Sequence, residues 1–123
     1  MEIDREIARL KKLPGFKEQV GMILIHNGVV RGTSLKGKNV TALRVKPHYD
    51  KIEELIHIYE RQKGIFKIVV EAREGVFSPG EDLLWIIVAG DVRENVKKVL
   101  SSLLDDIKAK AIEKEEYTQT DPL

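Results

Sequence analysis

Leu83-Leu84-Trp85-Ile86-Ile87-Val88-Ala89 is an unbroken apolar run closed by Gly90-Asp91. It is too short for a core helix and too apolar to face water on either side, so it predicts the central strand of a sheet covered on both faces. Downstream, Val92, Val96, Val99, Leu100, Leu103 and Ile107 keep a 3.6-residue period to about Ala111. That spacing predicts the longest helix of the chain, and Asp91 with Glu94 resembles a capping box at its start. Upstream, Ile65 to Ala72 (IFKIVVEA) reads as a further strand after Gly64. Arg73 to Gly80 reads as the loop between the two strands, turning tightly at Pro79-Gly80.

Further towards the N-terminus, Asp50 and Glu53 again suggest a capping box, here for a helix with Ile52, Leu55, Ile56 and Tyr59 on one face. Pro47 closes an alternating strand from Val40 to Lys46, and Gly32 to Asn39 is rich in Gly and small polar residues, which predicts a mobile loop. Val20 to His26 reads as a buried strand that continues through a bulge at Asn27-Gly28 into Val29-Val30-Arg31. Ile3, Ile7, Leu10 and Leu13 sit at helical spacing, with Pro14-Gly15 ending that helix. The order is helix, two strands, helix, two strands, helix, without an internal repeat or a linker, which predicts one α+β domain over residues 1–123 with mainly antiparallel pairing. Glu113 to Leu123 is polar and is expected to fray, residues 117–123 most of all.

A chain of 123 residues can bury roughly two-thirds of the surface its unfolded form exposes. Lys plus Arg number 21 and Asp plus Glu 20, a net charge of +1 that gives no support to whole-molecule capture of nucleic acid or of an anionic membrane. Any anion site must be local. Cys is absent, which excludes disulfides, thiolate nucleophiles and Cys-ligated metal centres. No apolar segment approaches the ~20 residues of a spanning helix, and the charged start Met1 to Glu6 is unlike a secretory signal, so a cytoplasmic location is expected.

Phosphate-loop, dinucleotide-binding, zinc-protease and serine-hydrolase signatures are all missing. His26, His48 and His57 fall on a strand, a strand end and a helix, and each is read as a structural or surface histidine, with no metal site implied. Cations are more informative. Arg31 follows a strand, Arg93 lies in the first turn of the last helix, and Lys108, Lys110 and Lys114 gather where that helix ends. Such groups hold phosphate or carboxylate, although Lys108 and Lys110 would equally complement the negative end of the helix dipole.

Taken in order, Gly28-Val29-Val30-Arg31, His48-Tyr49, Ala72 to Glu81 (AREGVFSPGE), Val92-Arg93, Lys108 and Ile112-Glu113-Lys114-Glu115 resemble the motif series of the large, catalytic subunit of molybdopterin synthase. The resemblance covers residues 20–116. In the family pattern a His stands at the place of Val92 and another at the place of Ala72, and Pro and Trp precede the second Lys.

The resemblance implies an α/β hammerhead core with an additional antiparallel β subdomain, in a homodimer that carries a small ubiquitin-like subunit at each end, a heterotetramer. It implies sulfur transfer from the thiocarboxylated C-terminus of that small subunit to cyclic pyranopterin monophosphate, making the dithiolene of molybdopterin, with no cofactor of its own. By position, Lys108 and Lys114 would be the catalytic lysines, while Arg31 and Arg93 would bind substrate phosphate or the thiocarboxylate carbonyl. All four cations are expected to line one pocket, within a chain or across a dimer interface. Two other readings remain open: a protein of the same fold that docks the ubiquitin-like partner without turnover, and a generic α+β module whose charges form a solvated face.

Overall fold

In the computed structural model, which describes residues 1–119, the Leu83–Ala89 run is the middle of a sheet. The described chain comprises α1 (Ile3–Lys11), α2 (Phe16–Gln19), β1 (Met22–Val29), β2 (Val40–Pro47), α3 (Tyr49–Glu60), β3 (Ile65–Ala72), β4 (Gly75–Phe77), β5 (Asp82–Gly90), α4 (Arg93–Lys110) and β6 (Ile112–Thr118). The strands form two antiparallel sheets, β1-β5-β3 and β4-β2-β6, so the class is α+β as predicted.

β5 has helices over one face and the N-terminal segment over the other. Ile86 and Val88 pack with Ile52, Leu55 and Ile56 of α3 and with Val96, Val99, Leu103 and Ile107 of α4. Alternation turns Trp85, Ile87 and Ala89 to the opposite face, where they are equally buried. There the α1–α2 segment is pinned by an ion pair from the Met1 amino group to Glu71 (2.9 Å) and by an edge-to-face contact of Phe16 with Phe66. Leu43, Val45 and Phe77 join the α3–α4 side, so the second sheet shares the core of the first. Each fully buried Leu or Ile contributes about 2 kcal/mol of hydrophobic stabilisation.

The bulge expected at Asn27-Gly28 is present: the β1–β5 register shifts between Gly28 and Val29. Beyond it, Val30 exchanges backbone hydrogen bonds with Glu81 (2.9 Å) and Gly80 (2.9 Å), so the Pro79-Gly80 turn braces the end of β1.

Four expectations are corrected. Neither capping box forms. α3 begins at Tyr49 with His48 at its N-cap, and α4 has Val92 at its N-cap. Asp91 lies one residue too early, so its carboxylate accepts from the Asn95 side chain and from Val92 N–H, which together hold it below its usual range. The 73–80 loop contains a short strand, β4, paired with β2. The polar tail does not fray from Glu113: β6 pairs with β2 as far as Val40↔Thr118, and residues 120–123, the rest of the tail, lie outside the described residues.

Candidate functional site

Six charged or polar residues of β6 give no hydrophobic signal, yet the strand builds one wall of a site. The turn from α4 into β6 takes a single residue, Ala111, which is fully buried and whose carbonyl accepts the His48 N–H (2.7 Å). Past that turn, Ile112, Lys114 and Glu116 alternate onto one face of β6, and Glu113, Glu115 and Tyr117 onto the other. Register sets Lys114 against Val45.

The result is a small cavity of about 60 Å³ lined by His26, Gly28 and Val29 of β1, Val45, Leu83 and Leu84, Lys108, Ile112 and Lys114. Two ammonium groups and an imidazole thus share an otherwise apolar recess. Burial, then Lys108, lowers the Lys114 pKa from its ordinary 10.5, while Glu116 partly opposes this. His26 is lowered from 6.5 by burial, then by Lys108 and Lys114, which favours neutral imidazole. Its Nε2 is shielded from solvent and has no hydrogen-bond partner among the described residues.

The two predicted lysines therefore converge, whereas the two predicted arginines do not join them. Arg31 lies just past the cavity residue Val29, but its Nε donates to the Thr33 carbonyl (3.0 Å) and it is not among the lining residues. Arg93 is exposed at the opposite end of α4 from Lys108, a separation of about 22 Å at 1.5 Å per helical residue. One chain by itself cannot bring all four cations together, contrary to the single-chain form of the expectation.

The remaining motif residues have structural partners. Arg73 lies over the Phe77 ring (4.4 Å) and donates to the Asp82 carbonyl (3.0 Å). His48 pairs with Glu113 (2.8 Å), and the Tyr49 hydroxyl donates to the Ala72 carbonyl (3.2 Å). His48 and Tyr49 instead line a larger, open depression of about 540 Å³ with Pro47, Asp50, Lys51 and Glu54. Its ionisable groups are solvated, so the smaller recess is the better candidate for chemistry. His57 is exposed beside Glu53 (3.4 Å), a surface histidine as read. His26 is the recess residue that sequence reasoning missed. The available signal was Gly28 two positions on, on the same strand face, where a Cβ would come within 3.1 Å of His26 Nε2.

A sequence model of the MoaE protein family matches residues 2–110. The chain belongs to that family, the large subunit of molybdopterin synthase. Membership assigns it a role in molybdenum cofactor biosynthesis. Among solved structures, it is similar to molybdopterin synthase from Staphylococcus aureus, with TM-score 0.72 and 18% identity over 84% of this chain and 77% of that one. Molybdopterin cofactor biosynthesis protein E from Burkholderia multivorans gives TM-score 0.72 and 19% identity over 100% and 88%. A complex of subunits 1 and 2 of molybdopterin-converting factor from Helicobacter pylori gives TM-score 0.69 and 17% identity over 96% and 80%. These likenesses agree on the fold. No curated protein matches the sequence. The family match ends at Lys110, so it does not extend to Lys114, which lines the recess from β6.

Proposed function

We propose that this chain transfers sulfur from the thiocarboxylated C-terminus of a small ubiquitin-like partner to cyclic pyranopterin monophosphate, with Lys108 and Lys114 as the catalytic pair. The observation that carries the reading is their convergence on one recess with apolar walls, in a chain of this family. Transfer from a thiocarboxylate develops negative charge on its carbonyl oxygen. A fixed ammonium beside that oxygen favours the transition state, and low-dielectric walls strengthen the effect. Lys108 takes this role. Lys114, whose proton is held less tightly than that of a solvated lysine, exchanges protons with the reacting groups. The sulfur arrives on the partner, so the chain's lack of Cys is no obstacle.

Arg31, at the rim, would turn from Thr33 to hold the substrate phosphate. Arg93 would serve the recess of a second copy, which is the reason to propose a homodimer, with one small subunit per recess. The Helicobacter pylori complex of two subunits supports a partner of this kind. The alternative, docking of the same partner without turnover, is favoured by Val92, half exposed at the start of α4 where the family pattern has a His.

Purified protein, a thiocarboxylated small subunit and the pterin precursor test both. The expected result is a dithiolene product, with Lys108→Ala slowing its formation by about 10²–10³-fold. Absence of product from the wild-type protein selects the docking reading, and full activity in Lys108→Ala removes Lys108 from the mechanism.

A further inference from the structure

One polar atom of the recess has no part in the roles given to the lysines. A buried imidazole nitrogen ordinarily has a hydrogen-bond partner, yet His26 Nε2 has none among the described residues. The backbone explains its direction. His26 and Gly28 share one face of β1, and the missing Cβ of Gly28 leaves room for the imidazole beside Leu84. The charged groups that face it are Lys108 from α4 and Lys114 from β6, with Glu116 acting on Lys114. β2 and β5 contribute only Val45, Leu83 and Leu84.

In the ligand-free protein, apolar walls and two neighbouring ammonium groups disfavour imidazolium. A bound oxyanion reverses the electrostatic part of that balance. It offsets the potential of both lysines and offers an acceptor to an Nε2–H. We propose that His26 is the third anion-binding group of the recess, taking a proton from solvent as an oxyanion of a ligand settles between Lys108 and Lys114. The inference rests on the recess being the ligand site proposed above, and adds a proton to the binding step. Affinity for an oxyanion of constant charge then rises as the pH falls from the pKa of His26 in the complex towards its lower value in the free protein, by at most tenfold per pH unit.

Sulfate is the probe, because its charge is constant over the range needed. The full chain is titrated with sulfate between pH 5.5 and 8, following the imidazole resonances and the calorimetric heat in two buffers of different ionisation enthalpy. The expected result is a His26 pKa raised by about one unit or more at saturation, proton uptake on binding, and affinity several-fold higher at pH 6 than at pH 7.5. His26→Phe and His26→Gln should bind sulfate with no proton uptake and without the gain on the acid side. If either variant fails to fold, the wild-type imidazole titration decides alone. A His26 pKa unmoved by saturating sulfate, while the lysine resonances respond, overturns the proposal and leaves the lysine reading standing. Sulfate binding indistinguishable between wild type and Lys108→Ala overturns both.

Discussion

Placing the Lys114 ammonium beside Lys108 and against Ile112 and Val45 costs the folded chain stability, because both burial and like charge act only in the folded state. Both states carry the proton below the folded pKa, so there the cost is complete. It is relieved as the pH rises from the lowered folded value towards 10.5, where the unfolded chain also loses its proton. Lys114→Met should therefore raise Tm at pH 7 while abolishing sulfur transfer, and its Tm advantage over wild type should narrow as the pH approaches 10. A lower Tm at pH 7, or a gap independent of pH, would contradict this account. The lysines were legible as cations in sequence, since position on a helix end and a following segment suffices to flag them. His26 was not: a lone histidine in an apolar run shows neither its orientation nor its neighbours, and both come from Gly28 and from residues more than eighty positions later.

At the scale of elements, β5 announced itself because burial on both faces demands apolar residues throughout, and α4 because its period is kept over many turns. β6 is the opposite case. Ile-Glu-Lys-Glu-Glu-Tyr-Thr has no apolar run, and pairing with β2, with Thr41 Oγ1 donating to the Tyr117 carbonyl (3.2 Å) and Arg44 Nε to its hydroxyl (3.1 Å), makes it a strand. A tertiary partner overrode local preference there. Where β5 hands over to α4 the backbone approach is closer still. A Cβ on Gly90 would lie 2.5 Å from the Gly64 carbonyl oxygen and 2.7 Å from Val96 Cγ2. Gly90→Ala must push α4 off the sheet end or displace Gly64, whose carbonyl accepts the Asp91 N–H (2.9 Å). The expected loss is about 2 kcal/mol in urea unfolding, as for overpacking elsewhere. An unchanged midpoint would mean that the handover is looser than its distances imply.

Across the whole molecule, a net charge of +1 conceals a cationic recess at one end of α4 and Arg93 at the other. The predicted helix already put Arg93 and Lys108 fifteen residues apart, so their separation within one chain was legible in the sequence, whereas the turn of Arg31 towards the Thr33 carbonyl was not. Ala111 carries a last consequence. On one side of it Lys108 belongs to the packed end of α4, while on the other Lys114 rides on a strand at the edge of the small sheet. The recess thus has a permanent half and a half that lasts only as long as β6 stays docked. Hydrogen exchange should find the β6 amides opening at a free energy well below that of β5, with Lys114 leaving and rejoining Lys108 many times during the lifetime of the native core. Equal protection of the two strands would show instead that the recess opens only when the whole protein unfolds.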